Sequence, residues 1–225
     1  FYGGVTRHVE ASCEEIRVRN SYFENSKERN ISLDSLVKNN RLSQRAHITD
    51  NELRVGQQGD NVGAHIGGEG LNTEHVGSTP VSPVGDGVER YVFERNECIG
   101  DKRTGLTIRD ASQGEFIYRY NDISGPSQQG IININEVNST AIDPKQIVVT
   151  GGLIEDTDNA AVNLKNADRV RCQNVTCTGQ GMVIDHANTA AIKSCDVFEY
   201  DVENGNAISL NPNVTTGEIK GCTVK

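Results

Sequence analysis

Residues 93–98 read FERNEC, and residues 118–123, 25 positions later, read YRYNDI. Both run as an apolar residue, two more residues, an asparagine, one more residue and a second apolar residue. With any polar or small residue allowed in place of Asn, the same frame recurs outward along the chain. It is found as VRNSYF at Val18, ITDNEL at Ile48, VVTGGL at Val148, VRCQNV at Val170, IKSCDV at Ile192 and IKGCTV at Ile219. The spacings are 30, 45, 25, 30, 22, 22 and 27 residues. A fixed frame with variable spacing excludes a rigid helical repeat and fits a solenoid of strands whose loops carry the insertions.

A second strand signal alternates with the first: ISLD at Ile31, LTIR at Leu106, ININ at Ile132, VNLK at Val162, MVID at Met182 and ISLN at Ile208. Most show a two-residue period with one apolar face. Gly105, Ala161, Gly181 and Ala207 precede four of them and mark the bend that feeds each strand. The runs are too short for helices and are bracketed by Gly, Asn and Asp. The fourth position of the longer frame is Ser21, Asn51, Asn96, Asn121, Gly151, Gln173, Cys195 and Cys222. Asparagine suits a tight bend because it tolerates left-handed angles and bonds to backbone. Amides stacked about 4.8 Å apart can also bond one another, so Asn51, Asn96 and Asn121 are expected to form a ladder.

Composition bounds the rest. The 225 residues are 35% hydrophobic and 24% charged, enough for one sizeable core. No apolar run could cross a bilayer, so membrane insertion is not expected. With 22 Lys+Arg against 31 Asp+Glu the formal charge is -9, the wrong sign for a broad nucleic-acid surface. The cysteines, Cys13, Cys98, Cys172, Cys177, Cys195 and Cys222, include no Cys-x-x-Cys pair. They read as buried thiols of a chain made in the cytosol. Glycosylation-type triplets at Asn30, Asn138, Asn174 and Asn213 carry little weight in a chain this rich in Asn and Thr.

From Val18 to Val224 the pattern resembles the right-handed parallel β-helix of the pectate lyase-like superfamily, which includes polysaccharide lyases, glycoside hydrolases, alginate epimerases and phage tailspikes. The resemblance implies an all-β solenoid of about eight coils. It also implies three sheets per coil, with VRCQ-type segments in the second sheet, the Asn position at its bend, and the Val162 and Ile208 runs in the first sheet. A long insertion falls near residues 54–90. Residues 1–225 read as a single β-helix domain and a fragment of a longer chain, since Met182 is the only methionine and Lys225 directly follows a strand-like run. Residues 1–15 are expected to cap one end, through Glu10–Glu15 as a short turn or helix. No stretch matches the catalytic signature of one enzyme family.

On first-sheet strands the residues between the apolar positions face solvent. That rule puts Asp34, Arg109, Asn133, Lys165, Asp185 and Asn211 on one outer face, the face polysaccharide-processing relatives commonly use as their groove. Arg109, Asn133, Asn163, His65 and Asn211 are the candidate substrate-binding residues, and Glu69, His75 and Asp86 of the insertion are candidate groove-wall residues. Stacking makes Lys165 and Asp185 neighbours. A cation beside a base is what a lyase or epimerase needs to stabilise an enolate and remove a proton. Glu155, Asp156 and Asp158 cluster at the turn before Val162 and, with Asp185, supply the carboxyl pair of a glycoside hydrolase, which needs about 5 to 9.5 Å between the two groups. The candidate catalytic residues are therefore Glu155, Asp156, Asp158, Asp185 and Lys165. His186 is a candidate proton shuttle ranked below Asp185, because neighbours on a strand face opposite ways unless one sits at the bend.

No cofactor is expected, although the acidic turn suits Ca2+. The resulting expectation is a tailspike-like depolymerase that binds a polysaccharide or oligosaccharide, hydrolysis ranked slightly ahead of lyase chemistry. The alternative is a non-catalytic shaft or adhesin that binds glycans or self-associates. A homotrimer and a virion-associated or extracellular setting follow from the tailspike likeness.

Overall fold

A computed structural model of the chain describes residues 7–10, 14–24, 29–32, 45–54, 89–99, 102–109, 114–125, 127–134, 145–155, 160–198 and 207–225. Among them are 21 strands and no helix. In chain order the strands are β1 (Arg7–Glu10), β2 (Glu15–Arg19), β3 (Tyr22–Glu24), β4 (Arg29–Ser32), β5 (Arg45–Thr49), β6 (Glu52–Arg54), β7 (Arg90–Glu94), β8 (Glu97–Ile99), β9 (Lys102–Arg109), β10 (Glu115–Arg119) and β11 (Asp122–Ser124). They continue with β12 (Ser127–Ile134), β13 (Gln146–Thr150), β14 (Leu153–Ile154), β15 (Val162–Gln173), β16 (Thr176–Thr178), β17 (Met182–Lys193), β18 (Asp196–Phe198), β19 (Ile208–Leu210), β20 (Val214–Lys220) and β21 (Thr223–Val224).

Strands pair with the corresponding strand of the next repeat, parallel and in register, which makes the chain an all-β solenoid of stacked parallel sheets. One sheet of eight strands runs β3-β6-β8-β11-β14-β16-β18-β21. The other, of eleven strands, has two arms. One arm stacks β2, β5, β7, β10, β13, the later part of β15 and β17, and β20. The second arm stacks β9, β12, the earlier part of β15 and β17, and β19. β15 and β17 join the arms by bending at Asn166 and His186, both with positive φ (53° and 54°). β1 and β4 pair separately.

Alternation drives the burial. In β13 the pattern is half-buried, buried, half-buried, buried, half-buried, with Ile147 and Val149 inward. β7 and β10 depart from it: Val92 and Ile117, in register with the exposed Arg17 and Arg171 of other strands, are buried as well. Both faces of the sheet are covered at that level. Inside, Phe93 and Tyr118 stack with ring centroids 5.3 Å apart, and Tyr91 meets Phe116 edge-on at 5.5 Å. The Tyr118 hydroxyl is buried without a hydrogen-bond partner, and burial pushes its pKa well up. Cys98, Cys172, Cys177 and Cys195 are buried and Cys222 is half-buried, as the composition suggested; Cys13 lies outside the described residues.

The expected amide ladder is present. Asn51, Asn96 and Asn121 are 2%, 1% and 3% exposed. Asn51 Nδ2 donates to Asn96 Oδ1 and Asn96 Nδ2 to Asn121 Oδ1, each at 2.9 Å. Each Nδ2 also donates to a carbonyl of the preceding repeat, at Val18, Ile48 and Phe93. The backbone N–H groups of Ser21, Asn51 and Asn96 donate to the Oδ1 of the next asparagine at 3.1, 3.2 and 3.0 Å. Buried amides are tolerated here because their polar atoms are matched along the stack.

Beyond Asn121 the register corrects the sequence frame. Ile123 pairs with Ile154, Ile154 with Cys177, Cys177 with Val197 and Val197 with Val224. Two residues before each of these, the column runs Asn121, Gly152, Val175, Cys195 and Cys222. It therefore passes through Gly152 and Val175 rather than Gly151 and Gln173. VVTGGL and VRCQNV satisfy the apolar frame one and two residues early, because Val148 and Val170 are also apolar. Gly152 has φ +92°, and a Cβ there would stand 2.2 Å from the Asn121 carbonyl oxygen. Only glycine fits, and the amide row stops at it.

The small residues before the second strand signal have a similar cause. A Cβ on Gly181 would lie 1.7 Å from the Ala207 carbonyl oxygen, which accepts the Met182 N–H at 2.8 Å. The inter-repeat bond occupies the space a side chain would need. The insertion expected near residues 54–90 lies largely outside the described residues; of the cap expected from residues 1–15, residues 7–10 and 14–15 are described, and there Glu10 ends β1 and Glu15 begins β2.

Two substitutions test this account by denaturant unfolding. Asn96→Leu removes the acceptor of the Asn51 backbone N–H and one acceptor of Asn51 Nδ2, together with the donor to Asn121 Oδ1 and to the Ile48 carbonyl, and is expected to cost on the order of 3 kcal/mol. Tyr118→Phe removes a hydroxyl that bonds to nothing and is expected to leave stability unchanged or raise it by up to about 1 kcal/mol.

Candidate functional site

The second arm ends where β15 and β17 bend, and there the register pairs Lys165 with Asp185. The adjacency expected from stacking is therefore present. Lys165 is exposed, and the Asp185 side chain is 17% exposed. His186 follows Asp185 in the left-handed conformation, φ 54°. A residue with that φ leaves the strand direction, so His186 escapes the alternation that would have sent it to the opposite face. It lies outside with its imidazole 54% exposed and Nδ1 2.9 Å from Asp185 Oδ1. The carboxylate faces the Nδ1 side of the ring, so Nε2 is the nitrogen left to face a ligand.

Two asparagines of the next repeat complete the surroundings. Asn213 Nδ2 donates to Asp185 Oδ1 at 3.1 Å. Asn211 accepts a 3.0 Å hydrogen bond from the Ser209 hydroxyl at its Oδ1, and its backbone N–H donates to Ile184 O at 2.9 Å. Burial pushes the Asp185 pKa upward. The Asn213 hydrogen bond, His186, the Asn211 side chain and Lys165 together outweigh it and hold the carboxyl below its ordinary value. Asp185 is thus an ionised, hydrogen-bonded carboxylate suited to orienting an imidazole or accepting a proton, and unsuited to donating one near neutrality.

One residue before Leu164 on the same arm, Asn163 is partly buried, and its Oδ1 is shut off from solvent with no hydrogen-bond partner. A buried carbonyl oxygen in this state costs stability.

The other candidates divide. Glu155 is partly buried and follows β14 in the eight-stranded sheet, its N–H donating to Ile123 O at 2.8 Å. Asp185 belongs to the eleven-stranded sheet, so the two carboxyls sit on different faces of the winding. Asp156 and Asp158, and with them the Ca2+ expectation, lie outside the described residues, as do His65, Asp34, Glu69, His75 and Asp86. Arg109 ends β9 and pairs with Ile134, whereas Asn133 pairs with Ile108. Arg109 and Asn133 therefore do not share one column. Ile131, just before ININ, is buried and pairs with Val162, the first residue of VNLK, so the frame of this strand is set one residue earlier than the pattern suggested.

His186 and Asn213 are the members that sequence reasoning undervalued or missed. A signal existed for the first: Asn166 follows VNLK at the offset at which His186 follows MVID, and asparagine after a strand end marks a left-handed bend.

No family model, no curated protein and no solved structure matches the chain.

Because its folded pKa is depressed, Asp185 contributes stability that is fully present above the ordinary aspartate pKa of about 3.9. That contribution is lost as pH falls through the lower folded value. Acid unfolding curves of wild type and Asp185→Asn are therefore expected to differ most above that pH and to converge below it. A carboxyl-carbon NMR titration of Asp185 should show a midpoint below that of ordinary aspartate.

Proposed function

We propose that the chain is a right-handed parallel β-helix of the pectate lyase-like kind, with about eight coils, that binds an acidic polysaccharide and cleaves it by elimination. The observation carrying this reading is the cluster of Lys165, Asp185 and His186, brought together by an in-register pairing and a left-handed bend and held by Asn213.

In the proposed reaction Lys165 faces the uronate carboxylate and stabilises the negative charge that builds as the neighbouring carbon loses its proton. His186, oriented by Asp185, takes that proton at Nε2. The carbon–hydrogen bond breaks, a carbon–carbon double bond forms, and the glycosidic oxygen on the next carbon leaves and takes a proton from water, while His186 returns the abstracted proton to solvent. The side chains of Asn163 and Asn211 serve as hydroxyl contacts, with Arg109 further along the arm. Elimination is favoured over hydrolysis because a glycosidase needs one carboxyl held protonated. Among the described residues, every carboxyl group with a resolved shift (Glu15, Asp50, Asp185 and Glu218) moves downward. A hydrolase built on Glu155, Asp156 and Asp158 is the competing version.

A second reading, a trimeric shaft or adhesin that binds glycans without turnover, is favoured by one feature: Lys165 and His186 are solvent-exposed on the outside of the winding. In either reading the chain is made in the cytosol and works on a virion or outside the cell.

The test is incubation with uronic-acid polymers (pectate, alginate, hyaluronan), following both ultraviolet absorbance of unsaturated product and reducing ends. Elimination yields both signals. Lys165→Ala, Asp185→Asn and His186→Ala are each expected to lower the rate by about 100-fold or more with unchanged circular dichroism. Reducing ends without absorbance would replace elimination by hydrolysis. Binding without any product would leave the shaft or adhesin.

A further inference from the structure

The column that carries the amide ladder ends in two thiols. Cys195 and Cys222 stand at the same bend of successive repeats, bracketed by the pairs Lys193↔Lys220 and Asp196↔Thr223. Backbone bonds on both sides fix them there: Ser194 N–H donates to Lys220 O at 2.9 Å, and Thr223 N–H donates to Cys195 O at 3.0 Å. In-register neighbours in parallel strands are about 4.8 Å apart at Cα, inside the window of about 4.4–6.8 Å that a disulfide spans. Neither cysteine is in a strand, so the bend residues can make the small Cβ approach a bond requires without breaking a ladder.

The thiols also take the places of the amides. Cys222 Sγ is 3.7 Å from the Ile192 carbonyl oxygen of the preceding repeat, the same relation Asn51 Nδ2 has to Val18 O. Cys195 Sγ is 3.4 Å from Lys193 O, and Cys222 Sγ 3.6 Å from Lys220 O. Sulfur hydrogen bonds are weak, so little holds the thiols reduced beyond their surroundings. Those surroundings differ: Cys195 is fully buried, while Cys222 is half-buried beside Val224, which is 52% exposed.

We propose that Cys195 and Cys222 form a peroxide-responsive dithiol, in which Cys222 is the attacked thiol and Cys195 the resolving one. Cys222 sulfur attacks one oxygen of hydrogen peroxide, giving a sulfenic acid and water. Cys195 sulfur then attacks that sulfenic sulfur, forming the disulfide and releasing a second water; two thiols are oxidised and one peroxide is reduced. The bond ties β20 and β21 to β17 and β18. Asn213, immediately before β20, donates to Asp185, so the oxidised form clamps the segment that fixes that carboxylate. The remaining thiols of this region stand elsewhere: Cys172 pairs with Ile192 and Cys177 with Val197, so neither is in register with Cys222.

Trypsin separates the participants. Cleavage after Arg171, Lys193 and Lys220 places Cys172 and Cys177 on peptide 172–193, Cys195 on 194–220 and Cys222 on 221–225. The folded chain is treated with hydrogen peroxide, capped with iodoacetamide and digested. The expected product is peptide 194–220 joined to 221–225, lighter by two hydrogens than the separate thiol peptides and split by dithiothreitol. Oxidation is expected to raise the Tm of wild type; in Cys195→Ser, Cys222 is expected to accumulate as a sulfenic acid trapped by dimedone, and that rise is expected to disappear. Peptide 221–225 joined to 172–193, capped Cys222 after peroxide treatment, or an undiminished Tm rise in Cys195→Ser each overturns the proposal.

Discussion

The row of three buried amides at the corner of the winding is the constraint on which the rest depends. A solenoid of strands has no helix to fix its corners, and the backbone at each corner turns through a left-handed residue that leaves N–H and C=O groups unpaired by the sheets. Asn51, Asn96 and Asn121 meet that demand from within, each bonding a backbone N–H, a backbone carbonyl and its neighbours in the row. With the corner fixed, the strands on either side have one register, and register turns alternation in the sequence into columns in space. The aromatic stacks of Phe93 with Tyr118 and Tyr91 with Phe116 belong to the same repeats as Asn96 and Asn121.

Asparagine at a fixed offset was legible because the polar row selects it: its amide bonds backbone and neighbour alike, while the left-handed φ of the corner falls one residue earlier, on Asp50, Arg95 and Tyr120. The frame slipped at Val148 and Val170, where the row ends and the column passes to Gly152 and Val175. Without a polar residue to anchor it, a run such as VVTGGL admits two apolar registers that differ by one residue. Anchoring on the last apolar position of each segment would have removed the ambiguity, since Ile123, Ile154, Cys177 and Val197 pair in direct succession.

The candidate site was half legible for related reasons. Lys165 beside Asp185 follows from strand stacking alone, which periodicity encodes. His186 required knowing that its φ is positive, and Asn213 required knowing how the chain returns after β19; neither is written in hydrophobic pattern. Chemistry at this corner thus comes from a break in the strand rule. The residue that ought to point inward is turned outward, and a carboxylate and an imidazole one position apart meet on one side.

The amides in the corner row all face the same way. Asn51 and Asn96 each hand one N–H toward the carboxy-terminal end of the stack, and Asn96 and Asn121 receive it at their oxygens from the amino-terminal side, so the group dipoles add along the axis instead of cancelling. Rotating any one amide by half a turn would set oxygen against oxygen on one flank and hydrogen against hydrogen on the other. The row consequently has a sense of direction, like a string of magnets laid head to tail, and that vector forbids pairing the repeats in reverse order.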